Sequence, residues 1–355
     1  MTHPITYRQV LDCFDRHQLP YGVLELQHGA RLVISVRGAR LLGPFLSEDS
    51  PSLNWVHHAF ATPSDFAALV ESGSANFGGE RWWIAPEVQY NIRERARFEQ
   101  TYALQPAMDP GQYRLEQTGP AEWRLSQTAR MQAFNLSAGI KDLDMQITLR
   151  SAADPLRRSA HYARLLDGVT YAGYEESMTF SEHQHDAIMS SAWNLIQLNP
   201  GGMILIPCSP HIEWQDYYEP VGDGQQIHPN HVRVQITGQR RYKMGYRAAY
   251  TFGRMGYFAP LDDQRAALLV RCFFNNPSTD YIDEPGPRIG SHGDSIQVYN
   301  DGGSLGGFGE MECFGQAIGG PTNRSASQDQ FMLWAYVGPT MQIKQITQHL
   351  LGITL

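Results

Sequence analysis

The residues best suited to chemistry in this chain lie in a stretch running from Asn76 to Asn91, Asn-Phe-Gly-Gly-Glu-Arg-Trp-Trp-Ile-Ala-Pro-Glu-Val-Gln-Tyr-Asn. Two glycines free the backbone for a tight turn or a close approach to a ligand. On a strand, Arg81 and Trp83 fall on one face, with Glu80, Trp82 and Ile84 on the other. A guanidinium fork beside an indole ring suits a sugar, because hydroxyls pair with the fork while the apolar face of a pyranose packs on the ring. Glu87 closes the stretch and adds a carboxylate. The same residues also suit a bland arrangement, in which Trp82 and Trp83 are core aromatics and Arg81 pairs with Glu87 to hold a strand end.

A second group is Gly309-Glu-Met-Glu-Cys-Phe-Gly, where Glu310 and Glu312 sit two residues apart and share one face of a strand. Two nearby carboxylates repel, which raises the pKa of one and makes an acid and a base available from a single strand. A third is Glu182-His-Gln-His-Asp186: on a strand His183 and His185 share a face, as do His211 and Glu213, and such a pair with a carboxylate could hold a divalent metal in a β-barrel enzyme. The glycine-rich run 302–308 leads into a strand, with no Lys-Ser or Lys-Thr after it, so it reads as a turn or rim beside the carboxylates and not as a phosphate loop.

These residues must be positioned by strands. The chain has 355 residues, 42% hydrophobic and 18% charged, enough for one large β-rich domain with a substantial core. Helical spacing of Val10, Leu11 and Phe14 predicts a capping helix within 1–20, and Ile343, Ile346 and Leu350 predict another over 341–351. Between them, short glycine-bounded runs predict a meander at 22–26, 30–36 and 39–42, then strands at 112–117, 122–132, 134–138 and 144–150. A further series follows at 170–180, 187–198, 203–207, 231–237, 242–245, 249–252, 266–274, 296–300, 308–314 and 330–337. The segment starting at Pro63 reads as a helix. The fold class is therefore all-β, a large antiparallel sandwich or barrel, with residues 1–355 forming one domain.

The net charge of −8 and the lack of a basic stripe disfavour nucleic acid as a partner. No apolar run reaches a membrane span, and no signal-like start is present, which leads to the expectation of a cytoplasmic protein away from membranes. Cys13, Cys208, Cys272 and Cys313 are widely spaced, which argues against a zinc ribbon and a disulfide scaffold.

With the strands laid out, the order of motifs resembles the galactose-mutarotase-like (aldose 1-epimerase-like) superfamily. The resemblance rests on Gly29-Ala-Arg-Leu-Val, on the Gly-Gly-Glu-Arg-Trp-Trp box, on Trp193-Asn-Leu-Ile-Gln-Leu-Asn-Pro-Gly-Gly and on Gly309-Glu-Met-Glu-Cys-Phe-Gly. It implies an antiparallel β-sandwich with a small-molecule carbohydrate on its concave face, no cofactor and no metal. It also implies Glu312 as general base and Arg81 as a sugar contact; the acid is then Glu310 or a histidine from elsewhere, and Trp83, Glu87, Trp193 and Asn194 are further candidate sugar contacts. The superfamily's middle-strand histidine is not reproduced in Ser190-Ser-Ala-Trp-Asn194. A carbohydrate-binding protein without catalysis is thus an alternative to an isomerase.

Overall fold

A computed structural model of the chain describes residues 4–74 and 76–355; residues 1–3 of the expected N-terminal cap lie outside the described residues. The strands are β1 (Tyr21–Glu25), β2 (Arg31–Ser35), β3 (Arg40–Phe45), β4 (Glu80–Ala85), β5 (Arg114–Gly119), β6 (Glu122–Ala133), β7 (Gly139–Ser151), β8 (Thr170–Glu182), β9 (Ser191–Leu198) and β10 (Met203–Pro207). They continue as β11 (Trp214–Asp216), β12 (Gln225–His228), β13 (His231–Gln235), β14 (Tyr242–Arg247), β15 (Arg254–Pro260), β16 (Arg265–Phe273), β17 (Asp294–Asn300), β18 (Gly309–Phe314) and β19 (Ala326–Pro339). Helices α1 (Tyr7–Arg16), α2 (Pro63–Glu71), α3 (Glu87–Tyr90), α4 (Phe98–Thr101), α5 (Tyr162–Leu165) and α6 (Thr340–Leu351) lie around them.

Two antiparallel sheets stack face to face. One has nine strands in the order β1-β2-β3-β4-β9-β18-β17-β14-β11, and the other has ten in the order β12-β13-β10-β15-β16-β19-β8-β7-β6-β5. They do not close into a barrel, and the expected all-β sandwich is the architecture found. The main core fills the space between them, with Trp82, Ile84, Ile196 and Leu198 from the first sheet meeting Met178, Leu269 and Leu333 from the second.

Local chemistry accounts for the elements. Thr6 caps α1 in a reciprocal capping box with Gln9, while Val10 and Phe14 are buried beneath it. Thr62 caps α2, with Pro63 in the first turn. Strands β6, β7 and β8 alternate buried and open positions because the outer face of the ten-stranded sheet is solvated there. Strand β4 is buried at every position because both of its faces are covered.

Three expected elements are corrected. The 134–138 segment is a turn ahead of β7, where Leu136 takes a positive φ of 59° that a strand does not accommodate. The 249–252 segment is mostly a 3₁₀ turn, Ala248–Tyr250, and the neighbouring strand is the unanticipated β15. His183 and His185 follow the end of β8 in a bend, and His211 lies in a turn, so neither His183 with His185 nor His211 with Glu213 shares a strand face. No helix among the described residues is long and apolar enough to cross a membrane.

Gly78 and Gly79 ahead of β4 have φ of 94° and 74°. A Cβ on Gly79 would stand 2.3 Å from the Leu41 carbonyl oxygen, and one on Gly78 would stand 2.5 Å from that of Trp55. Substituting Gly79→Ala therefore combines a left-handed backbone with a backbone clash, and is expected to cost at least about 2 kcal/mol. Urea unfolding followed by circular dichroism would measure this, and an unchanged midpoint would contradict the geometry.

Candidate functional site

Alternation along the middle strands of the nine-stranded sheet sends one set of side chains away from the second sheet. Arg81 and Trp83 of β4, Trp193 and Leu195 of β9, Lys243 of β14, Tyr299 of β17, and Glu310 and Glu312 of β18 all turn to that outer face. The register sets Leu195 opposite both Arg81 and Glu312, and Tyr299 opposite both Glu310 and Lys243. Residues separated widely in the chain thus become same-face neighbours. Glu87 of α3, Phe98 of α4, Tyr102, Tyr218 and the loop bearing Ser304, Leu305 and Phe308 close the space into a cavity of about 400 Å³, within the range of small-molecule sites.

Charged groups on the floor are paired. Arg81 donates to Glu310 Oε1 at 2.8 Å, and its guanidinium lies 4.2 Å from the Trp83 ring. Lys243 Nζ is 3.2 Å from Glu312 Oε2, 3.7 Å from Glu87 Oε2 and 4.5 Å from the Trp193 ring. The Trp193 indole N–H donates to Glu312 Oε2 at 3.0 Å, and the Tyr218 hydroxyl donates to Glu87 Oε2 at 3.2 Å. At the mouth, Arg241 pairs with Glu99 at 2.9 Å and stacks 4.1 Å from Tyr218. Glu312 Oε1 has no hydrogen-bond partner among the described residues, although the residue is fully buried.

Burial pushes the Glu312 carboxyl up to about 8; Lys243 opposes the rise, while Glu310 and Glu87 add to it. Glu87 is raised as well, by burial first, against the pull of Lys243. Burial alone would depress Lys243, yet Glu312 and Glu87 beside it raise it above the usual lysine value. The two shifts are compatible because Glu87, Glu310 and Glu312, with Asp283 behind Lys243, outnumber the cations Arg81 and Lys243.

Six of the seven residues singled out from sequence, Arg81, Trp83, Glu87, Trp193, Glu310 and Glu312, meet in this cavity. Asn194 does not. It lies on the other face of β9, where its amide donates to Glu80 Oε1 at 2.6 Å, since a strand cannot turn Trp193 and Asn194 to the same side. The ion pair considered for Arg81 and Glu87 is not formed, because Arg81 takes Glu310 and Glu87 faces Tyr218 and Lys243. Trp82 is core, donating to Glu176 Oε2 at 2.7 Å between the sheets.

Tyr218 belongs to an aromatic loop, with Trp214 and Tyr217, that the sequence offers for stacking on a sugar or for pinning the loop to the sandwich, whereas Lys243 and Tyr299 were not anticipated as site residues. The available signal was one lysine in the otherwise uncharged run Tyr242-Lys-Met-Gly-Tyr246. The histidine pair is corrected as a metal site: His183 Nε2 is 2.9 Å from Asp144 and His185 Nδ1 is 2.8 Å from Glu182, so each imidazole meets a different carboxylate. No group of three potential ligands converges among the described residues. The glycine-rich rim is held by Asp301 Oδ2, which accepts from the backbone N–H groups of Gly303, Leu305 and Gly307 at 3.0, 3.1 and 2.8 Å.

Solved structures similar to this chain include a candidate aldose 1-epimerase from Escherichia coli K12, 11% identical, with 89% of this chain and 99% of that one covered at a TM-score of 0.46. Another is a galactose mutarotase-like protein from Lactobacillus casei, 12% identical, covering 90% and 100% of the two chains at 0.42. A third is a candidate aldose 1-epimerase from Klebsiella pneumoniae, 10% identical, covering 92% and 81% at 0.47. No curated protein matches the chain. The profile of the family of unknown function DUF6786 matches residues 7–355, nearly the full length, and the chain belongs to that family.

Proposed function

We propose that the outer-face cavity binds a sugar and that Glu312 and Glu310 move protons on it, opening and closing a cyclic hemiacetal as an aldose 1-epimerase does. The observation that carries this reading is the placement of Glu312: fully buried, its Oε1 without a partner among the described residues, in an aromatic-walled cavity that also holds the carboxylates of Glu310, Glu87 and Glu99 and the cations Arg81, Lys243 and Arg241. Trp83 and Trp193 offer ring edges and faces to the C–H surface of a pyranose, while the carboxylates and Arg81 offer partners to its hydroxyls.

Ring opening breaks the bond between the anomeric carbon and the ring oxygen. A base takes the proton of the anomeric hydroxyl while an acid protonates the ring oxygen. A carboxyl raised to about 8 carries its proton near neutrality, so Glu312 is the donor to the ring oxygen in this direction and Glu310, paired with Arg81, is the acceptor. This reverses the roles expected from resemblance, and ring closure exchanges them again. Lys243, 3.2 Å from Glu312 Oε2, stabilises the carboxylate left when Glu312 gives up its proton. A second reading, a carbohydrate-binding protein that does no chemistry, is favoured by one feature: no histidine lines the cavity among the described residues.

A panel of neutral aldoses followed by NMR separates the two. Wild type is expected to accelerate anomer exchange, and Glu312→Gln to slow it by about 100-fold or more with unchanged circular dichroism; full activity in that variant would remove Glu312 from the mechanism, and binding without exchange would establish the second reading. Turnover should decline as pH rises through about 8, where Glu312 loses its proton.

Stability follows the same group. The folded pKa lies above the ordinary 4.5, so the folded state retains a proton that the unfolded state has released between those values. Wild-type stability is expected to fall as pH rises from about 4.5 to about 8, and Glu312→Gln to lessen that fall. Denaturant midpoints measured across the interval would show parallel curves if Glu312 had an ordinary pKa.

A further inference from the structure

A second cavity, of about 590 Å³, opens at one end of the space between the two sheets. Its walls are Leu53, Trp55 and Val56 on one side and Tyr257 and Leu269 on the other, with Ala267 and Val337 completing the second sheet's side. Ser50, His58, Asn199 and Arg265 add polar groups to the lining, and two further polar side chains, Ser52 and Asn54, are buried within it. Asn54 is fully buried and Ser52 is 7% exposed. Ser52 Oγ and both Asn54 amide atoms, Nδ2 and Oδ1, lack a hydrogen-bond partner among the described residues.

The direction of Asn54 follows from its backbone. It forms an isolated antiparallel bridge with Leu198, and directly opposed residues of such a pair turn their side chains to the same side. Leu198 belongs to the core between the sheets, so the Asn54 amide enters the same space, where the cavity lies. A buried amide with neither its donors nor its acceptor satisfied is costly, and native interiors rarely leave both halves of one group unpaired. Here the unpaired amide and hydroxyl lie two residues apart and line one cavity, in a volume typical of small-molecule sites.

We infer that this cavity is a second ligand site, taking a largely apolar molecule that carries one group able both to donate and to accept hydrogen bonds, a primary amide being the simplest. The apolar body lies between the sheets against Tyr257 and Leu269, and the ligand's amide pairs head to head with that of Asn54, with Ser52 Oγ within the same polar patch. This site is separate from the carboxylate cavity. The wall between them includes Trp55, whose ring packs 4.7 Å from Phe308, a residue of the carboxylate cavity.

The test uses full-length protein and three probes of matched length: octanamide, N,N-dimethyloctanamide, which keeps the acceptor and loses the donors, and octyl methyl ether, which has no donor. Binding is read by saturation-transfer NMR and by titrated thermal shift. Octanamide is expected to bind saturably and at least about tenfold more tightly than either analogue. Asn54→Leu should remove about tenfold of that affinity, Ser52→Ala should act in the same direction by less, and Glu312→Gln should leave it unchanged. Equal binding of all three probes, equal binding by wild type and Asn54→Leu, loss of binding in Glu312→Gln, or no saturable octanamide binding would each overturn the inference. None of these outcomes bears on anomer exchange in the carboxylate cavity.

Discussion

Between the two sheets the guanidinium of Arg271 on β16 is held by the carboxylates of Glu80 on β4 and Glu176 on β8, with all three side chains fully buried. Trp82 and Asn194 add hydrogen bonds to the same two carboxylates, and the Tyr174 hydroxyl donates to Glu80. Burial, and then Glu80, raise the Glu176 carboxyl well above its usual range, against the pull of Arg271. Removing Arg271, the one cation of the cluster, would leave buried carboxylate charge uncompensated, a loss of several kcal/mol. The cluster joins β4 and β9 of one sheet to β8 and β16 of the other. It therefore holds the phase of β4: a slip by one residue would send Arg81 and Trp83 into the core and expose Glu80 and Trp82 on the outer face. The geometry of the outer cavity rests on this inner cluster.

The outer cavity repeats the same electrostatic pattern with one difference. Again carboxylates outnumber cations in a buried setting, and again burial raises a carboxyl above its usual range. In the core that carboxyl is saturated by Trp82 and Arg271 and has no route to a substrate. In the outer cavity Glu312 has one oxygen held by Trp193 and Lys243 and the other without a hydrogen-bond partner among the described residues, and the residue lines a space large enough for a ligand. Similar physics yields a structural tie on one face of the sheet and an acid/base candidate on the other.

How much of this was legible in the sequence follows from the range of each interaction. Period-two alternation in Glu80–Ala85 and in Gly309–Phe314 is local, and it correctly paired Arg81 with Trp83 and Glu310 with Glu312. The capping of α1 and the start of α2 were local as well. The same period should have separated Trp193 from Asn194, and the resemblance overrode it. Arg81 and Glu310 are 229 positions apart, so their pairing depends on sheet order, which no local pattern encodes; the nearer Glu87 was the natural but incorrect partner. Lys243 was hidden for the same reason, since its partners lie on β18 and α3. The histidines misled because two residues at strand spacing define a face only when a strand runs through them, and β8 ends at Glu182.

The glycine pair that begins the sequence argument has a different task from the one its composition suggested. Gly78 and Gly79 do not line the outer cavity; their missing side chains let the segment around Trp55 cross the end of β4. Gly79 N–H donates to the Trp55 carbonyl at 2.7 Å, and Trp55 N–H donates to that of Gln197 at 2.9 Å. The crossing segment is extended, so neighbouring side chains diverge: Asn54 enters the space between the sheets, and Trp55 reaches the Phe308 side. One short stretch thus lines the cavity between the sheets and backs Phe308 at the edge of the outer one, and the pair of glycines is the condition for it. A side chain at either position would displace that stretch and disturb both cavities together, while the strands carrying Glu310, Glu312 and Lys243 would remain in register.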